Sequence, residues 1–143
     1  HKMAVGANLS GKAINISKTI APHALSYSFT TMYGIPHGHA VSLSFNQILK
    51  FNFLNQNLAY CDFDIKKRYE ILFKLTKTKN INQLDNFFKN FKKKLKLEQN
   101  FKKLGINLTR DSGKIFSKVN DQRLKNNPIK LLKSDIFTIF KDY

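Results

Sequence analysis

Between positions 16 and 52 the chain reads ISKTIAPHALSYSFTTMYGIPHGHAVSLSFNQILKFN, and the Gly-Ile-Pro break in its middle leaves little freedom in how it folds. Gly34 suits a left-handed helix-ending position and Pro36 cannot continue a helix, so the segment is read as two helices meeting at a corner. His23 lies on the first and His37 opens the second, fourteen residues later. Imidazole is the commonest neutral metal ligand, and two of them carried by rigid elements to one corner begin a site for Zn²⁺ or Fe²⁺. Two ligands do not complete one. A centre needs three or four, typically with a carboxylate, and the stretch holds no Asp or Glu; Asp62 and Asp64 are the nearest and sit beyond a long helix. From spacing alone the histidines are either ligands or satisfied polar residues at a helix corner. His39 follows His37 by two positions, a rotation of about 200° on a helix, and so does not address the same ion. Lys18 and Thr19, beside a helix start, are candidates for holding an anion, because free N–H groups and the helix dipole favour negative charge there.

Composition sets the frame around this corner. A chain of 143 residues, 42% hydrophobic and 13% aromatic, has the material for one core. Thirteen Phe, no Trp, six Gly and three Pro imply few turns and long helices, hence an all-α fold in a single helical domain. The formal charge of +16 would attract nucleic acid, anionic lipid or anionic substrates. Its excess is mostly Lys amid many Asn and Ile, a mixture that AT-rich coding also produces. A lone cysteine, Cys61, excludes an internal disulfide and fits a reducing cytosol. No run of roughly 18 apolar residues spans a membrane, the start is unlike a secretory signal, and the chain reads as beginning in mid-domain.

In chain order, Met3 to Ile16 is expected to be helical and buried. Ser17 or Thr19 is expected to cap the next helix, with Pro22 in its first turn. Ala21, Leu25, Phe29 and Met32 share one face of that helix, and Thr19, His23, Tyr27 and Thr30 another. The helix from His37 to about Asn55 is apolar on most sides and so central. Asp64 leads a helix burying Ile65, Tyr69, Leu72 and Phe73. Asn82 and Asp85 are spaced as a capping box, and behind them Leu84, Phe87, Phe88, Phe91 and Leu95 form a stripe to be buried, with Lys89, Lys92, Lys93 and Lys96 on a solvated back. That basic run offers no aromatic free to stack on bases. Gln99 to Leu104 is expected as a short helix stopped by Gly105, Asp111 or Ser112 as the cap of a helix bearing Ile115, Phe116 and Val119, and Asn126-Asn127-Pro128 as a turn. Ile136, Ile139, Phe140 and Tyr143 share a face of the last helix.

GKAINISKTIAPHALSYSFTTMYGIPHGHAVSLSFNQILKFN resembles the metal-binding helical region of the iron-containing (group III) alcohol dehydrogenases: a His in a helix, fourteen residues, then Pro-His-Gly and an Asn at the next helix end. The wording around APHALSY and GIPHGHAV is most similar to the phosphonoacetaldehyde reductase branch of that family. The likeness extends through Leu104-Gly105-Ile106 and the NDQRLKNNP turn, and so over essentially the whole chain. It implies that His23 and His37 are two of four ligands to a divalent metal, Fe²⁺ or Zn²⁺. The other two, an Asp and a His one turn apart, lie upstream in the family, as does its NAD(P) domain; neither is in these residues. Lys18, Thr19, Tyr27 and His39 are the candidates for substrate contact. Tyr27 stands where several members carry a second histidine.

The resemblance therefore implies part of an NAD(P)-dependent alcohol dehydrogenase or aldehyde reductase, inactive as this stretch alone. Its expected partners are a small aldehyde or alcohol, an upstream nucleotide-binding domain in cis or trans, and a second copy in a homodimer, with neither membrane nor nucleic acid. The rival readings are a basic helical module with incidental histidines, for nucleic acid or another anionic partner, and an inert remnant.

Overall fold

A computed structural model describes residues 1–140. Among them there are eight α-helices and no strand, so the all-α expectation holds. The helices are α1 (Lys2–Ser17), α2 (Ala21–Tyr33), α3 (His37–Leu54), α4 (Ile65–Thr76), α5 (Ile81–Lys94), α6 (Leu108–Ser117), α7 (Asp121–Leu124) and α8 (Lys133–Ile139). None is long and apolar enough to cross a membrane.

The α2–α3 corner is the centre of the packing. Gly34 ends α2 at φ 66°, and its N–H closes on the Thr30 carbonyl at 3.1 Å. A residue without Cβ takes that left-handed turn without strain, and Pro36 at φ −53° directs the chain straight into α3. Between them Ile35 is buried, so the corner is pinned from inside. The buried stripe of α2 follows the 3.6 period: Ala21, Leu25 and Phe29 are fully enclosed, with Met32 at their margin. Phe29 meets Phe101 and Phe140 at ring-centre distances of 5.8 and 6.1 Å, which draws α8 onto the same core. A smaller cluster of Ile65, Tyr69, Ile81 and Leu84 joins α4 and α5 to the far side of α3.

Several expectations are corrected. The first helix forms, but none of its residues is buried: Met3 and Ile16 are 86% and 84% exposed. Its apolar side chains find no element among the described residues to pack against. Ile20, without a side-chain cap, precedes α2 in place of Ser17 or Thr19. Asn80 caps α5 by accepting from the Gln83 N–H at 3.0 Å, so the Asn82–Asp85 box does not form. Asn107 caps α6 by accepting from Arg110 N–H at 2.9 Å, displacing Asp111 and Ser112. Residues 101–105 are turns, not a helix, ending at Gly105 with φ 73°. Tyr143 lies outside the described residues.

The largest correction is on α5. Leu84 is buried as expected and Phe88 half-buried, edge-on to Phe45 at 5.0 Å, but Phe87, Phe91 and Leu95 are 39%, 52% and 54% exposed. Lys92, assigned to the solvated back, is instead 5% exposed. The helix is rotated about its axis by a polar interaction that hydrophobic periodicity does not register. The Lys92 Nζ donates to Asn46 Oδ1 at 2.7 Å and to the Ser42 carbonyl at 3.1 Å. Asn46 in turn donates to the Asp85 carboxylate, which also pairs with Lys89 at 2.8 Å. A buried ammonium is tolerable only with such partners.

Burial pulls the Lys92 amine down to about 8 against the attraction of Asp85. Between that value and the ordinary 10.5 the unfolded chain binds the extra proton. Stability therefore rises with pH across that window by up to about 1.4 kcal/mol per unit. Denaturation midpoints measured from pH 7.5 to 10 should show wild type gaining on Lys92→Met above pH 8; parallel curves would contradict the burial of this amine. In the core, Phe29→Ala should cost about 3 to 5 kcal/mol and Phe91→Ala under about 1 kcal/mol, read by chemical denaturation. Equal losses would mean that α5 sits the other way round.

Candidate metal centre

The corner brings the two expected ligands together. His23, in the first turn of α2, and His37, the first residue of α3, place their ring centres 5.5 Å apart with the planes at 60°. An ion bonded at about 2.1 Å to one nitrogen of each ring would hold the centres roughly 4.5 to 5.5 Å apart, so the pair is spaced for a shared ion.

The surroundings keep both rings suited to that role. Neither nitrogen of His23 has a hydrogen-bond partner among the described residues, which leaves its lone pair uncommitted. Its pKa lies below the usual 6.5, first because burial disfavours the imidazolium, then because His37 and Arg123 add positive charge nearby. The neutral ring is the ligating form. His37 is oriented by Ser26: the hydroxyl donates to the His23 carbonyl at 2.8 Å and so offers a lone pair to His37 Nδ1 at 3.4 Å. A proton on Nδ1 leaves the lone pair on Nε2, as an outer hydrogen bond does for a metal-bound histidine.

Among the described residues no third His, Cys, Asp or Glu joins the pair. The donor set present is two imidazoles, which fits half of a four-ligand site. The other candidates are placed as follows. Tyr27, one turn beyond His23, has its ring 6.0 Å from that of His37 and so belongs to the corner. Thr19 lies beside the start of α2, its carbonyl accepting from Asn126 Nδ2 at 3.1 Å. Lys18 ends α1 at φ 63°, exposed, with its ammonium on the Asn15 carbonyl at 3.4 Å. His39 is not brought to the pair: its Nε2 donates to the Glu98 carbonyl at 2.6 Å, on the opposite side of α3 from His37.

One residue at the corner was not legible in the sequence. Arg123, on the short α7, lies over the Tyr27 ring at 5.0 Å from its centre and is close enough to His23 to depress its basicity. A hundred residues separate Arg123 from His23, so no spacing rule connects them. The only sequence signal was an arginine inside the NDQRLKNNP turn, in a chain whose cations are otherwise almost all lysine.

Comparison with known proteins bears on the whole chain. The profile of the family described as "Fe-containing alcohol dehydrogenase family, C-terminal" matches residues 1–143. A curated relative, the phosphonoacetaldehyde reductase of Streptomyces viridochromogenes, is 39% identical over 46 residues. That region is 32% of this chain and 12% of the relative, so the match covers only a small part of that protein's length. No solved structure matches the chain.

The ¹H NMR titration of His23 should have its midpoint below 6.5, and Arg123→Met should raise it by removing one of the two neighbouring positive charges. A midpoint unmoved by that substitution would place the guanidinium away from the ring.

Proposed function

Since this chain belongs to the Fe-containing alcohol dehydrogenase family, matching its C-terminal part from end to end, we propose that its α2–α3 corner is the metal-holding half of an NAD(P)-dependent alcohol dehydrogenase or aldehyde reductase centre. The observation that carries this reading is the convergence of two imidazoles 5.5 Å apart, one of them without a hydrogen-bond partner among the described residues and held below its ordinary basicity by burial and neighbouring charge. His23 and His37 would hold Fe²⁺ or Zn²⁺. An ion held there would supply Lewis-acid polarisation of a carbonyl oxygen.

The chain's own residues contribute orientation, neutrality and shape. Ser26 fixes the His37 ring through Nδ1, and burial with neighbouring charge withholds the proton from His23. Tyr27 stands beside His37 as a wall for a small substrate. The substrate class is a small aldehyde or alcohol, and phosphonoacetaldehyde is favoured by the resemblance to a reductase of that compound and by the positive charge at this corner. Hydride transfer also needs a nicotinamide held against the carbonyl, and positioning of that kind lowers a barrier by roughly 7 to 11 kcal/mol. Among the described residues there is no strand from which a parallel-sheet nucleotide-binding unit could be built. That unit, with the remaining metal ligands, is supplied in cis or by another polypeptide.

The test is metal titration of the 143-residue polypeptide with Zn²⁺ and with Fe²⁺ under anaerobic conditions. One equivalent is expected to bind, weakly, and affinity should fall at least about tenfold on either His23→Ala or His37→Ala. Unchanged affinity in both variants would end the assignment. NADH or NADPH consumption with small aldehydes should be absent for the polypeptide alone and appear when the nucleotide-binding unit is supplied. Turnover by the 143 residues alone, lost on His37→Ala, would show that they hold everything the reaction needs.

A further inference from the structure

The three arginines of the chain are used in different ways. Arg110 is consumed by Asp111, with two hydrogen bonds at 2.8 and 2.7 Å. Arg68 sits over Phe63 at 5.6 Å on α4, away from the histidines. Arg123 alone stands at the corner, half-buried, with no ion-pair partner among the described residues. A cation at that depth gains from a counter-ion, and the Tyr27 ring face returns only a modest cation–π stabilisation. The guanidinium N–H groups make no hydrogen bond to another group among the described residues, so they stand as donors for a ligand.

The backbone that carries Arg123 is fixed on both sides: its N–H donates to Asn120 Oδ1 at 2.9 Å, and the turn after α7 is tied down by two asparagines. Asn126 donates to the Thr19 carbonyl at 3.1 Å, and Asn127 exchanges amide hydrogen bonds with Asn52 at 2.9 and 3.1 Å while donating to the Ile129 carbonyl at 2.7 Å. Asn127 is fully buried. The turn carrying Arg123 is thereby tied both to the entrance of α2 and to the last turn of α3. Contacts of 5.0 and 6.0 Å, through Tyr27, link the guanidinium to the His37 ring. Arg123 also acts on His23 directly, as one of the charges that lower its basicity, so the guanidinium and the histidine pair share one corner.

We propose that Arg123 is the specificity-determining residue of this corner, taking the phospho-oxyanion end of a small aldehyde or alcohol through its N–H edges while the oxygen to be reduced or oxidised faces His23 and His37. The assignment rests on the reading of the histidine pair as the metal-holding half of the centre. Its chemistry is the fork-to-oxyanion match that an ammonium cannot reproduce. It differs from the sequence candidates Lys18 and Thr19: the Lys18 ammonium is turned to Asn15, and the Thr19 carbonyl, an acceptor, faces Asn126.

The experiment uses methylphosphonate as the probe, titrated into the 143-residue chain with and without one equivalent of Zn²⁺ and followed by ³¹P NMR, with Zn²⁺ affinity measured on the same samples. Arg123→Ala should weaken methylphosphonate binding at least about tenfold, Arg123→Lys should recover only part of it, and Lys94→Ala, the same charge loss on an exposed residue of α5, should change it less than about twofold. Zn²⁺ affinity should stay within about threefold of wild type in Arg123→Ala. Equal methylphosphonate binding by wild type and Arg123→Ala, no detectable binding by wild type, or equal losses in Arg123→Ala and Lys94→Ala would overturn the proposal while leaving a retained Zn²⁺ site standing. Arg123-dependent binding without any Zn²⁺ site would instead uphold the oxyanion assignment and remove the metal reading. Should Arg123→Ala lose its helical circular dichroism, Arg123→Lys carries the test, since it keeps the charge and stem: full retention of affinity there would equally overturn the fork.

Discussion

The whole arrangement depends on a turn of three residues. Gly34 takes the left-handed conformation that ends α2, Pro36 forbids a continuous helix, and Ile35 between them is driven into the core. Once those positions are set, the angle between α2 and α3 is no longer adjustable, because Leu25, Phe29, Ala40 and Leu43 are enclosed on either side of it. A histidine in the first turn of one helix and another at the first residue of the next then arrive at the same place without any direct interaction being needed to bring them there. The energy that positions the pair is hydrophobic and lies elsewhere; the rings themselves stay free of commitments that would compete with a ligand.

Polar contacts do the second layer of positioning. The buried Asn52–Asn127 pair closes the chain's C-terminal turn onto the end of α3, and Tyr60 adds a hydrogen bond to the Lys125 carbonyl at 3.0 Å. Amides buried this deeply are costly unless fully paired, so each pairing selects one register of the turn against its neighbours. Arg123 inherits its place from that selection. On the other side of α3, the Lys92, Asn46 and Asp85 network clamps α5 in a rotation that its apolar stripe alone would not choose.

How much of this was legible in the sequence follows from the physics of each part. Helix-forming patterns and the Gly-Ile-Pro corner act locally, so the class, the α2 face and the placement of His23 and His37 on two elements could be read directly. The family wording sharpened the histidines into a pair. The caps at Asn80 and Asn107 are not the candidates the pattern favours, because Asx and Ser residues within one or two turns compete for the cap and only the backbone decides. Exposure of α1 was misread because apolar composition announces a buried face without saying what covers it. Lys92 was misread because a long-range hydrogen bond, fifty residues away at Ser42, outweighed periodicity. Arg123 belonged to the same class of long-range fact.

One ion shared by the two imidazoles of this corner is what the proposed function requires. X-ray absorption at the zinc edge of the chain loaded with one equivalent of Zn²⁺ reads it most directly. Two histidine nitrogens are expected at about 2.0 to 2.1 Å, with the outer-shell scattering of two imidazole rings, reduced to one ring in His37→Ala. A first shell of oxygen scatterers without imidazole, identical in wild type and His37→Ala, would contradict it.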